Sequence, residues 1–197
     1  MLQPNIDRLF VITGGPGSGK TTLINALTAS GYTCMPEGAR AIIQQQVASG
    51  GTALPWSDRM AFAELMLDSG LRSYQAAQPG SPTTAFFAVA GAEVVDGPVI
   101  FDRGIPDTLG YLQLCGLPVP PHFEQAARQH RYHRRVLFAP HWDAIFTQDR
   151  ERKQSREEAK ATYAAMFDIY SHLGYELLPL PLATVEERVA FVREIVG

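Results

Sequence analysis

Nine consecutive residues, Gly14-Gly-Pro-Gly-Ser-Gly-Lys-Thr-Thr22, carry the clearest chemistry in the chain. Gly14, Gly19, Lys20 and Thr21 stand at the fixed places of the pattern G-x-x-x-x-G-K-[ST]. The apolar run Leu9–Thr13 before it reads as a buried parallel strand, and Thr21–Leu27 after it reads as a helix. Strand, glycine-rich loop and helix N-terminus together make an anion site: backbone N–H groups converge and the helix dipole adds positive potential. Gly15, Gly17 and Gly19 allow positive φ and close backbone approach. Gly15, Pro16, Gly17, Ser18, Gly19, Lys20, Thr21 and Thr22 are therefore the candidate nucleotide-binding residues. Lys20 is expected to reach the β- and γ-phosphates of ATP, and the Thr21 hydroxyl to ligate Mg²⁺.

A second constellation is Asp102-Arg103-Gly104, at the end of the apolar run Val99–Phe101. A carboxylate there suits Mg²⁺, directly or through water, or a helix N-cap. Arg103 offers a planar guanidinium to a ligand's phosphate or carboxylate, or to a neighbouring acidic side chain. Glu37-Gly38-Ala39-Arg40 follows a second strand. Glu37 can serve as a base toward an attacking hydroxyl or stabilise a helix start. Arg40 can hold an anionic part of a second substrate or be solvated.

The charge run Asp149–Arg156, with Arg150, Arg152, Lys153 and Arg156, precedes a capped helix. It reads as a lid that stabilises charge and excludes water, or as a solvated surface run. Nine of the seventeen Lys and Arg residues fall between Arg128 and Lys160. Of these, Arg128–Arg135 is either the exposed face of a helix or a surface for a polyanion. Trp142 either stacks on a base or packs. No set of His and acidic residues has the spacing of a transition-metal site.

The elements that position these residues alternate as strands and helices, the pattern of a parallel doubly wound α/β sheet. Strands are expected at Leu9–Thr13, Tyr32–Met35, Val99–Phe101, Val136–Ala139 and Tyr175–Leu180, with a further extended piece at Trp142–Thr147. Helices are expected from the glycine-rich loop to Ala29, at Ala39–Val47, after an N-cap at Ser57 to Ala77, at Ile105–Cys115 and at Phe123–Tyr132. Capping boxes at Ser155/Glu158 and Thr184/Glu187 open two more, the last with a stripe of Val185, Val189, Val192 and Val196. Ala85–Val95 is readable as strand, helix or both. Ligands of such sheets sit at the carboxyl ends of the strands, which selects Gly14–Thr21, Pro36–Arg40, Asp102–Asp107, Pro140–Trp142 and Pro181–Thr184.

The chain has 197 residues, 46% hydrophobic and 19% charged, which suits one domain. Its net charge of −3 gives no general drive toward nucleic acid. No apolar run approaches the ~18 residues of a membrane span, and the N-terminus lacks the pattern of a signal peptide. Cys34 and Cys115 read as reduced core thiols of a cytoplasmic protein.

The runs TGGPGSGKTTL, PEGAR, GGTALPW, FDRGIPDTLGYL, APHWDAIFTQDRERKQSREEA, GYELLPLP and VEERVAFV resemble the bacterial predicted-ATPase family of kinase-like P-loop proteins. That family includes the ribosylnicotinamide kinase domain of a bacterial NAD regulator and is more distantly similar to thymidylate and deoxynucleoside kinases. The resemblance implies a P-loop α/β/α sandwich with a five-stranded parallel sheet in the order 2-3-1-4-5. It implies ATP with Mg²⁺ held by Thr21 and Asp102, and a lid near residues 148–157. It also implies a small-molecule acceptor between Glu37, Arg40, Arg103 and Asp107, with Glu37 as base toward a sugar hydroxyl. Lys20, Glu37, Asp102, Arg103, Arg150 and Arg152 are then the candidate catalytic residues. The acceptor is left unnamed by the resemblance. A kinase is the first expectation; a regulatory NTPase using Arg128–Arg135 as its interface is the second. The absence of an Asn-Lys-x-Asp motif argues against a guanine-specific GTPase. Arg rather than Glu after Asp102 argues against an AAA+ remodelling machine.

Overall fold

The computed structural model describes residues 6–78, 97–144 and 155–197. Five strands form one wholly parallel sheet: β1 Leu9–Gly14, β2 Thr33–Met35, β3 Val99–Asp102, β4 Arg135–Ala139 and β5 Glu176–Pro179. Their order is β2-β3-β1-β4-β5, as the resemblance implied. β1 is buried at every position, the mark of a central parallel strand covered on both faces. Register sets the site: Ile12 pairs with Asp102, and Gly14 with Ala139. The start of the glycine-rich loop and the end of β3 therefore lie side by side at the carboxyl edge.

The described helices are α1 Lys20–Ala29, α2 Gly38–Ser49, α3 Arg59–Ala76, α4 Pro106–Leu114, α5 Pro121–Gln129, α6 Arg156–His172 and α7 Val185–Val196. Alternate residues of each strand feed opposite faces. Val11, Phe101 and Val136 pack with Leu67 of α3, Leu109 of α4, Phe123 of α5 and Tyr170 of α6. Ile12, Ile100 and Leu137 pack with Leu23 and Leu27 of α1 and Val189 and Val192 of α7. The result is the three-layer P-loop kinase-like sandwich.

Several boundaries moved for local reasons. Asp58, not Ser57, caps α3, its carboxylate accepting from the Ala61 N–H. α5 starts at Pro121, two residues earlier than expected, because proline tolerates the first helical turn. It ends at Gln129, and Tyr132 lies beyond it. Both expected capping boxes are present, Ser155 with Glu158 and Thr184 with Glu187. Trp142 lies outside any strand. Cys34 and Cys115 are thiols only partly covered by the fold; burial pushes the Cys34 thiol up, away from thiolate character. Expectations for Ala85–Val95, 145–147 and the arginines Arg150 and Arg152 fall outside the described residues. Among the described residues no helix is long and apolar enough to cross a membrane.

Candidate active site

The loop from Gly14 to Gly19 turns on glycines at positive φ: Gly17 at 71° and Gly19, the residue before α1, at 75°. Gly15 serves by its lack of a side chain, since a Cβ there would lie 2.5 Å from the Ala159 carbonyl of α6. The helix that follows the expected lid thus abuts the loop itself. Lys20, buried in the first turn of α1, donates from Nζ to the carbonyls of Gly14 (3.0 Å) and Gly15 (2.6 Å) and to Ser18 Oγ (3.2 Å). Ser18 Oγ in turn donates to the Gly15 carbonyl at 2.8 Å. Pro16 is buried within the turn, and Thr21 and Thr22 are exposed on α1.

Asp102 ends β3 and is buried. Thr21 and Asp102 sit on elements that touch, α1 and β3. Both offer hard oxygens, the donor type a divalent cation such as Mg²⁺ takes, so the residues fit that ion.

Arg103, next in sequence, adopts φ 72°. A left-handed, non-glycine residue costs about 1–3 kcal/mol and persists only where its surroundings over-determine it. Here they do. Its backbone N–H donates to the Ile12 carbonyl at 3.0 Å, its Nε to Glu37 Oε1 at 3.0 Å and its Nη1 to Asp107 Oδ1 at 2.9 Å. Burial alone would lower the guanidinium pKa; Glu37, Asp107 and Asp102 more than offset this and hold it charged. The residue is turned from the sheet edge into the acidic cluster.

Glu37 occupies the N-cap position of α2, yet its side chain makes no cap hydrogen bond there. It reaches across to Arg103 instead. Both sequence readings stay open, since a carboxylate at this position also meets the positive end of the α2 dipole. Asp107 is buried in the first turn of α4 and accepts four hydrogen bonds. Thr13 Oγ1 (2.6 Å) and Arg103 Nη1 (2.9 Å) donate to Oδ1; the Gly104 N–H (2.9 Å) and the Tyr170 hydroxyl (2.7 Å) donate to Oδ2. Burial first, then the Asp107 charge, raises the Tyr170 pKa well above its usual value, so it donates as a neutral phenol. Asp107 thereby joins β1, the Arg103 turn and α6.

A cleft of about 490 Å³, counting its open mouth, lies between α2, α3 and the end of β3. Glu37, Asp102, Arg103 and Asp107 line one side. The opposite wall comes from Met66, Ser69, Gly70 and Ser73 of α3. Sequence reasoning missed that wall: two serines in a long helix carry no signal until α3 is laid against α2. Gly38 makes the contact possible, because a Cβ there would strike Ser69 Oγ. Arg40 is exposed on α2 and is not among the lining residues.

Arg188 of α7 was also missed. It is 3% exposed, its Nη1 donates to the Ser18 carbonyl at 3.1 Å, and its guanidinium stands 5.9 Å from the Trp142 ring centroid. Burial lowers its pKa, and no carboxylate lies within ion-pair distance among the described residues. In sequence it looks like any charged position beside an amphipathic stripe. The basic run behaves differently again. Arg135, at the amino end of β4, pairs with Glu176 at 3.7 Å, and Arg131 lies over the Tyr175 ring at 3.9 Å. This group sits at the opposite end of the sheet from the cleft.

Solved structures share this fold over nearly the whole chain. NadR protein in complex with NR superposes with a TM-score of 0.63 at 18% identity, over 98% of this chain and 51% of that one. The chain therefore spans about half the length of that NadR protein. Thymidylate kinase from Ehrlichia chaffeensis gives 0.59 at 13% identity, over 96% and 97% of the two chains. Shikimate kinase from Acinetobacter baumannii in complex with shikimate gives 0.56 at 11% identity, over 99% and 93%. Among curated proteins none matches in sequence. With the model of one P-loop family, described as an AAA domain, matching residues 9–188, the chain belongs to that family.

Proposed function

We propose that the chain is an ATP- and Mg²⁺-dependent phosphotransferase that moves the γ-phosphoryl group to a hydroxyl of a small acceptor held in the cleft. One observation carries this reading. Glu37, Arg103 and Asp107 form a fixed hydrogen-bonded array at the strand ends, next to the glycine-rich loop. An acceptor hydroxyl must be held in line with the γ-phosphate, and a preorganised array lining a cleft beside the loop can do this. Kinase-like structural neighbours support the same reading. The family's description as an AAA domain names the P-loop module; the Asp102-Arg103 pair is not the acidic pair of a remodelling machine.

In this reading Lys20 neutralises charge on the β- and γ-phosphates. Thr21 and Asp102 would hold Mg²⁺, which when bound would offset the negative charge of the phosphates. Glu37 accepts the proton of the attacking hydroxyl and is oriented through Oε1 by Arg103. Asp107 positions Arg103 and ties it to β1 and α6. A lid near residues 148–157, with Arg150 and Arg152, closes over the phosphates and excludes water. The helix opened by Ser155 and Arg156 brings the Ala159 carbonyl close to Gly15, which supports a lid role for the residues that precede it. The whole chain acts as one domain, in a cytoplasmic setting where ATP is at hand.

Release of ADP measured across a panel of hydroxylated metabolites tests the proposal. A kinase turns ATP over slowly alone and quickly with its acceptor. Acceleration by a polyanion or protein, with no small molecule effective, would reject it in favour of a regulatory NTPase acting through Arg128–Arg135.

A further inference from the structure

We propose that the cleft selects an uncharged or cationic acceptor and rejects one bearing a carboxylate or phosphate beside the reacting hydroxyl. The inference rests on the phosphotransfer reading above and adds the acceptor's charge class to it. Among the described residues, the charged side chains lining the cleft are three carboxylates, Glu37, Asp102 and Asp107, and one guanidinium, Arg103. Arg103 is not a spare anion receptor: Glu37 and Asp107 already sit 3.0 and 2.9 Å from it. A divalent cation at Asp102 would arrive with the nucleotide's phosphates, whose negative charge exceeds its own, so the side facing the acceptor stays acidic.

The α3 wall supplies no compensation. Ser69 and Ser73 offer hydroxyls, Met66 offers apolar surface and Gly70 offers room. Such a wall hydrogen-bonds a polyol and packs against a ring or alkyl edge, but it carries no charge to meet an anion. In a partly desolvated cleft, like charges a few ångströms apart repel far more than in water, so the acidic side acts as a filter against anions. An ammonium or other cationic group on the acceptor would be attracted by the same carboxylates.

The test uses the full chain with ATP and Mg²⁺ and reads ADP release with three sets of hydroxylated acceptors. The neutral set comprises nucleosides, hexoses and pentitols; the cationic set, aminosugars and amino alcohols; the anionic set, sugar acids, sugar phosphates and nucleoside monophosphates. The best acceptor is expected in the neutral or cationic set, with kcat/KM at least about 100-fold above any anionic one. For a cationic acceptor, KM should rise with added salt. If an anionic acceptor proves best, the charge filter is wrong while the kinase reading stands. If no acceptor in any set accelerates ADP release, the kinase reading fails and the filter falls with it. As a second measurement, Glu37→Gln should narrow the discrimination between a neutral acceptor and its anionic analogue, whatever it does to the rate. Unchanged discrimination would overturn the role given to that carboxylate.

Discussion

At the nucleotide end of the site, the donors come from nine consecutive residues and from the buried cation Arg188 resting on their backbone. At the proposed acceptor end, carboxylates surround one guanidinium, and the participants come from the end of β3, the start of α2, α3 and α4. The first is a backbone device: its shape follows from glycine conformations and one helix start. The second is a side-chain device, and it exists only once four elements have docked. A triphosphate is the same in every enzyme that uses it, so a contiguous loop can be fixed for it. An acceptor differs from enzyme to enzyme, and a wall assembled from separate helices can be changed one residue at a time.

The largest expected break between the two ends is Lys20→Ala. ATP at about 100 times its Kd should raise the wild-type stability by about 2.7 kcal/mol. The variant should lose that shift and at least about a hundredfold of turnover. Differential scanning fluorimetry with and without ATP checks it; an undiminished shift would remove Lys20 from the phosphate site. Glu37→Gln should do the converse. ATP-induced stabilisation persists, while transfer falls about a hundredfold or more, the range for a lost general base. Loss of ATP binding instead would move Glu37 to the nucleotide end.

How much could be read from the chain follows the same division. β1, the loop and α1 were legible because the motif is contiguous and the hydrogen bonds of Lys20 stay within it. The sheet order was legible through the resemblance, and the capping boxes through their own spacing. The acceptor wall was not, because Ser69 and Ser73 mean nothing apart from the α2 face that meets them. Asp107 was legible as a member of the site but not in its role: its partners Thr13 and Tyr170 lie 94 and 63 residues away. Arg188 was invisible because an arginine in an amphipathic helix is ordinary until one sees it buried, with no carboxylate beside it among the described residues.

Asp107 links the two ends, and Asp107→Asn measures how tightly. The amide must present its N–H₂ toward one pair of existing donors, leaving them unsatisfied. The expected cost is about 1–3 kcal/mol of stability, seen as a lower denaturation midpoint at unchanged slope. Both the KM for ATP and the KM for the acceptor should rise, since Thr13 and Arg103 share the lost carboxylate. A change in only one of them would show that the two ends are independent.

The smallest effect is expected at Arg188. A buried charge is costly, and among the described residues Arg188 has no counter-charge, so Arg188→Met, which keeps the bulk, should leave the fold as stable or make it more so. The Ser18 carbonyl then loses its donor, and the loop beside Lys20 loses a restraint. The KM for ATP should rise several-fold to about tenfold, equivalent to about 1 kcal/mol, with kcat nearly unchanged. Arg188→Lys should recover part of this loss through its ammonium donor, though not the forked geometry of the guanidinium. An unchanged KM in the methionine variant would mean that Arg188 is a packing residue and that the nucleotide end needs nothing beyond its nine-residue loop.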